Sequence, residues 1–379
     1  MVAKFNAFNA LNRVMINLYL ITALLSIYTP MKVIMLYGLA LLNIYFSTLF
    51  FLTMMKNNFY MNKYLFLMLV SLICSFFING HFDYVMLNIM TICGVYYLIY
   101  KEHGYVISKL RMYIIIASII NFLLYHLMPP DYIGVKAIGN FLIPRVQLDV
   151  LPLSIASAIA LLSFIIAGQL KNRTMKYSLW IMNLILIIKL GKLSVIVALI
   201  LVYLVCFLIV FLRKIMNKVF LKKILKLIYS VMFLFPFLLV YFKQYLSLWF
   251  LRLLTFRDDI YISFIDYTME YGSFLFGAGF SAHEGNLLLL HSNPHNQSLG
   301  VFFVLGAFGL MVFLLTFLKV LDNTFDGIEG GDTHSFKIFF AISLLMMIDS
   351  YFVLTVFPLY LLFFIFYLMR LSPVIGRTV

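Results

Sequence analysis

The stretch HSNPHN, His291 to Asn296, sets two histidines, a proline and two asparagines directly before a long apolar run. In a chain of 379 residues with only 7 His and 14 acidic residues, such a concentration of polar groups at the mouth of one apolar run stands out. Histidine titrates near neutral pH and serves as a general base. Arg257 lies 38 residues before His295 (295 minus 257), with Arg252 just ahead of it. Further cations, Arg145, Lys189 and Lys192, stand in other segments between apolar runs. Arginine and lysine hold phosphate groups, and arginine does so with a two-pronged geometry. Each residue also has an ordinary reading. Cations near a bilayer snorkel to headgroups, and Asn296 or Ser298 suits the cap of the helix that follows.

A metal site is the competing reading. His283, Glu284, His291 and His295 are close in sequence, and HEGNLLLLH superficially resembles a zinc motif. That motif needs two histidines four apart on a helix with glutamate between them. His283 and His291 are eight apart, and although His291 and His295 have the right interval, Pro294 opposes a helix there. Zinc is therefore the weaker reading, and no metal or other cofactor is expected.

These residues need elements to hold them. The chain is 64% hydrophobic and 11% charged, with a mean hydropathy of +1.05, whereas soluble domains are about a quarter charged. Apolar runs of bilayer length recur from end to end, without the two-residue alternation of a barrel. The expectation is an all-α polytopic membrane protein of about twelve transmembrane helices. The first run reads as one of the series and not as a removable signal peptide. The net charge of +14 then reflects cytoplasmic loops and not nucleic-acid binding. KNRTMK (Lys171–Lys176) and the basic stretch Arg213–Lys226 fix the orientation, with both termini inside. On that layout 20 of the 28 Lys and Arg lie inside and 8 outside. Cys74, Cys93 and Cys206 stand singly in apolar runs and read as small hydrophobes.

Two far-side segments are long, residues 129–150 and 243–297. The second contains FRDDIYISFIDYTMEYGSFLFGAGF, in which Asp259, Ser263, Asp266 and Glu270 share one helical face and Ile260, Phe264 and Met269 turn elsewhere. An amphipathic helix along the membrane surface is expected there. No fixed repeat divides the chain, so residues 1–379 read as one membrane domain. The spans are poor in charge, Asp349 being the main exception. A transporter would place ionisable groups near the midplane, so work at the outer face is favoured over transport.

The order of these residues resembles the O-antigen polymerase/ligase superfamily. The matching positions are Arg257, then Gly277 and Gly279, then His295-Asn296, then Gly306 and Gly309. KLGKLS, from Lys189, is similar to the family's Ser-Arg segment at the outer start of a span, with Lys192 where arginine is usual. The tryptophan often found after the arginine is absent, and Ile260-Tyr261 stand near its place. The resemblance implies a bacterial inner-membrane glycosyltransferase acting at the periplasmic face, without a metal. It would move a glycan from undecaprenyl diphosphate to a sugar hydroxyl. His295 would be the base, Arg257 and Lys192 would bind diphosphate, and Arg145 and Arg252 would be further cations of the site. Asn296 would orient His295 or bind sugar. Tyr261, Tyr267 and Tyr271 would stack on sugars. Gly277 and Gly279 would form a tight turn, and Gly306 and Gly309 would let spans approach. The implied partners are lipid-linked donor and acceptor glycans, the bilayer, and a chain-length regulator or flippase. Polymerase is favoured over ligase, and a lipid-linked glycan flippase or other transporter is the reading from another class.

Overall fold

The structure, a computed structural model, describes residues 2–56, 61–79, 82–128, 132–138, 141–148, 152–245, 257–279, 296–348 and 359–370. Helices dominate: α1 (Val2–Leu25), α2 (Lys32–Met55), α3 (Lys63–Asn79), α4 (Phe82–Leu127), α5 (Leu153–Ala167), α6 (Arg173–Leu190), α7 (Leu193–Leu212), α8 (Lys218–Phe233), α9 (Phe235–Phe242), α10 (Arg257–Tyr271), α11 (Gln297–Glu329), α12 (Thr333–Ile348) and α13 (Leu359–Arg370). Between α4 and α5, β1 (Tyr132–Ile138) pairs antiparallel with β2 (Phe141–Gln147).

Among the described residues, four stretches are long and apolar enough to cross a membrane: Ile34–Met55, Val85–Leu127, Ser194–Leu212 and Gln297–Ile328. Helices α8 and α9 add a fifth if their 60° bend is taken as a break within one span. Five other apolar helices run 10–17 residues, and α6 carries Arg173, Lys176 and Lys189. Ile34, Tyr37 and Leu41 on α2, and Phe207 and Phe211 on α7, are exposed. Apolar surface of this extent is unstable in water and suits hydrocarbon. The fold is dominated by helices, and its apolar helices are compatible with a multi-pass membrane protein.

Two helices form the interior. In α5, Ala156, Ser157, Ala158, Ala160, Ser163 and Ala167 are all buried, and such small side chains let neighbouring backbones approach. Helix α11 is the most enclosed of the long ones: 67% of its most apolar window is buried, against 33% for α7.

Polar side chains tie helices together where no water competes. The Tyr19 hydroxyl donates to Asn43 Oδ1, and Asn43 Nδ2 donates to Thr91 Oγ1 at 2.8 Å. Two residues before Tyr19, Asn17 bonds the hydroxyls of Tyr105 and Tyr113 at 2.7 and 3.0 Å. Thr91 and Tyr113 lie eleven residues on either side of Glu102 (102 minus 91, 113 minus 102), whose φ of −129° and ψ of 32° interrupt α4. Thr91 is linked to Tyr19 of α1 through Asn43 of α2, and Tyr113 meets Asn17 of α1 directly, so α4 turns back on itself at Glu102. The α4 stretch is thus a helical hairpin and not one rod.

Helices α7 and α12 run antiparallel. The Arg213 guanidinium at the end of α7 lies 6.0 Å from the Phe325 ring, near the α11–α12 turn. Lys337 lies 4.8 Å from the Tyr203 ring. Eleven residues further along each helix stand Lys192 and Ile348 (203 minus 192, 348 minus 337), so these two share one end of the bundle. At the opposite end α8 and α11 are laced by ion pairs. Lys218 meets Asp326 at 3.5 Å, Lys222 meets Asp326 at 3.1 Å and Asp322 at 3.3 Å, and Lys226 meets Asp322 at 2.7 Å. Individually such pairs are weak, but a network of several holds geometry better.

Candidate active site at the Lys192 end

Helix α10 begins Arg257-Asp258-Asp259, and acidic groups in a first turn favour the helix dipole. Its outer face matches expectation: Asp259, Asp266 and Glu270 are exposed. Its inner face buries Ile260, Tyr261, Phe264 and Thr268, with the Phe264 ring edge-on to Phe303 of α11 at 4.9 Å. Met269, expected on the apolar side, is 56% exposed, because the contact with α11 takes the 261/264/268 stripe. Asp258 does the reverse and is 2% exposed.

After α10 the chain makes a tight turn. Ser273 and Gly277 exchange backbone hydrogen bonds of 2.9 and 2.7 Å, and Gly277 and Gly279 have φ of 78° and 85°. This turn fills a break in α11. At Gly306 (φ 67°, ψ −166°) the helix is interrupted, leaving amides and carbonyls that must find other partners. Ala307 N donates to Phe274 O at 2.8 Å, Phe308 N to Leu275 O at 3.1 Å, and Ala278 N to Phe303 O at 2.7 Å. Ser75 Oγ of α3 donates to Val304 O at 3.1 Å. A Cβ on Gly306 would lie 2.3 Å from the Leu275 carbonyl carbon, and one on Gly277 would lie 2.5 Å from that of Val304. The two glycine motifs are therefore halves of one interlock. This is a closer relation than the separate turn and span-packing roles expected of them.

The half-helix before the break starts at Asn296, which is 2% exposed. Its Oδ1 accepts from Ser298 N at 2.9 Å, Ser298 Oγ at 2.6 Å and Leu299 N at 3.3 Å, an N-cap. Its Nδ2 donates to Met347 O at 3.1 Å. The amide is spent on protein partners, so Asn296 acts by fixing the chain beside it.

Tyr261 joins the pieces. Its hydroxyl hydrogen-bonds the side chains of both Arg257 and Asn296. Burial raises its pKa, against the opposing effects of the Arg257 charge and the two hydrogen bonds, so at neutral pH it is a protonated phenol. At 3% exposure its ring offers no face to a sugar, contrary to the stacking role expected. Tyr271 is 56% exposed and retains one. Arg257 is half-buried, held from behind and open enough to meet an anion.

Lys192 occupies the N-cap position of α7 and is half-buried. It shares the end of the bundle with Ile348, next to the Met347 carbonyl that holds Asn296. Lys189 Nζ donates to the Tyr125 carbonyl, tying the same tip to α4. Arg145 lies on β2 opposite Gly134, and β2 packs along α6, whose last residue precedes Lys192 by two. His295, Arg252, His283, Glu284, His291 and Asp349 lie outside the described residues.

Of the expected site residues, then, Arg257, Tyr261 and Asn296 meet directly, and Lys192 stands on a neighbouring helix at the same end. Sequence reasoning missed Asp258, whose signal was an acidic residue off the polar face of an amphipathic helix. A guanidinium, a neutral phenol and a capped helix start brought together suit binding of an anionic group. Scanned against models of known protein families and against curated proteins, the chain finds no match in either.

Proposed function

We propose that this chain is an O-antigen polymerase of the bacterial inner membrane, joining undecaprenyl-diphosphate-linked repeat units at the periplasmic face. In this reading the chain makes twelve spans, both termini are cytoplasmic and the Lys192 end faces the periplasm. The observation that supports it is the meeting of Arg257, Tyr261 and Asn296 at that end. Arg257 and Tyr261 share α10, Asn296 caps α11, and Arg257 and Asn296 are two of the positions that carry the family resemblance. His295, adjacent in sequence to the cap residue Asn296, is the base.

The chemistry follows. A hydroxyl oxygen of the acceptor sugar attacks the anomeric carbon of the donor and forms the new glycosidic bond. The bond from that carbon to the diphosphate oxygen breaks, and its electron pair leaves with undecaprenyl diphosphate. The hydroxyl proton passes to His295. Arg257, with Lys192 and Arg145, offsets the charge on the departing diphosphate.

Electrophoresis of lipopolysaccharide from a deletion strain tests the reading. Core bearing a single repeat unit is the expected result. Bare core would favour a ligase, and unchanged long chains would overturn the proposal.

A further inference from the structure

Asp258 is a buried carboxylate that the reaction above does not use. One oxygen, Oδ2, pairs with Lys243 Nζ at 2.8 Å, and the same ammonium reaches Asp259 Oδ1 at 2.8 Å. The other oxygen, Oδ1, is buried and has no hydrogen-bond partner among the described residues. Such an oxygen costs stability unless something donates to it, and in a native fold it calls for an explanation. Lys243 Nζ is shared between Asp258 and Asp259, so one cation faces two carboxylates and Oδ1 still calls for a donor.

Position narrows the choice. Asp258 lies three residues before Tyr261 on the buried side of α10, and Tyr261 touches Arg257 and Asn296. The site as read so far is cationic and matched to a diphosphate, with His295 alone assigned to receive a proton from the sugar. A carboxylate repels phosphate and takes hydroxyl donors strongly. We propose that Asp258 is a substrate-binding residue whose Oδ1 accepts a hydrogen bond from a hydroxyl of the acceptor sugar. This rests on the polymerase reading and adds to it the group that distinguishes acceptor from donor. Lys243 positions the carboxylate by holding its other oxygen.

The test uses the full chain in lipid nanodiscs, with native lipid-linked glycan from the deletion strain as donor. The same glycan released from its diphosphate is an acceptor-only probe. In Asp258→Asn the oxygen pair becomes an amide, and loss of a charged hydrogen bond should raise the KM for the released glycan by about tenfold or more. The KM for the lipid-linked donor should stay within about twofold and the Tm within a few degrees. Asp258→Glu should recover part of the loss, and Glu270→Gln, on the exposed face, should change neither constant. Equal weakening toward donor and acceptor, or a lower Tm with unchanged KM values, would mean a structural ion pair and overturn the proposal. So would wild-type behaviour of Asp258→Asn. Equilibrium dialysis of the released glycan reads Asp258 separately. If the wild-type chain binds it without transferring it, the polymerase reading fails, while weaker binding to Asp258→Asn still upholds the contact. If the wild-type chain neither binds nor transfers it, both fall.

Discussion

The amide of Ala307 donates to the carbonyl of Phe274 at 2.8 Å, so a turn from one segment completes a helix from another. Breaking this join should be costly. Gly306→Ala adds a Cβ 2.3 Å from the Leu275 carbonyl carbon at a residue with φ of 67°, and strain of that kind alone is about 1–3 kcal/mol. With the clash added, we expect a loss of about 3 kcal/mol or more, read as a large fall in Tm in detergent. Gly104→Ala, whose Cβ would meet nothing within 4 Å, should shift it little.

The cap at Asn296 separates fold from function in a different way. Asn296→Ala removes three accepted hydrogen bonds and should cost about 1–2 kcal/mol. Asn296→Asp keeps the capping oxygen but loses the donor to Met347 O, and should be the more stable of the two. Thermal unfolding of both variants beside the wild type decides the order.

Arg257 is argued to hold phosphate through its planar fork. Arg257→Lys keeps the charge and loses the fork, so transfer should fall by about 10²-fold, comparable to other lost transition-state donors. His295→Ala should abolish elongation at unchanged protein level. Wild-type glycan length for His295→Ala would remove that residue from the role of base.

Tyr261→Phe keeps the buried ring and deletes the link between Arg257 and Asn296. The variant should fold, and transfer should fall by about tenfold as Arg257 loses its support. Its pH dependence has a definite sign. The folded pKa of Tyr261 is raised, mainly by burial, so the neutral phenol's contribution is complete below the unfolded value of about 10 and is lost as pH rises through the folded value. Between pH 9 and 11 the wild type should therefore lose more stability than Tyr261→Phe, measured by Tm in matched buffers.

Membrane sidedness is open to direct labelling. A cysteine at Lys192 should react with a membrane-impermeant maleimide in cells whose outer membrane has been opened. A cysteine at Lys223, exposed on α8, should react only after the inner membrane is permeabilised. The reverse pattern would invert the topology and move the proposed site to the cytoplasm.

What the sequence determined by itself follows from solvent and periodicity. Apolar runs of bilayer length, the clustering of Lys and Arg between them, and the acidic stripe of α10 are local properties that need no tertiary partner. They pointed to a helical membrane protein and to Arg257 and Asn296 as residues worth following. The tertiary structure decided which of those residues meet, because contact between positions 261 and 296, or 274 and 307, depends on how unsatisfied groups find partners across the fold. The missing hydrogen bonds of a broken α11 drew in the Ser273–Ala278 turn. The 261/264/268 stripe, and not the one containing Met269, proved the buried face. Asp258 is held inside by an ion pair with Lys243, fifteen residues earlier (258 minus 243) and outside α10. No periodicity encodes that pairing, since it exists only once α9 and α10 are packed together.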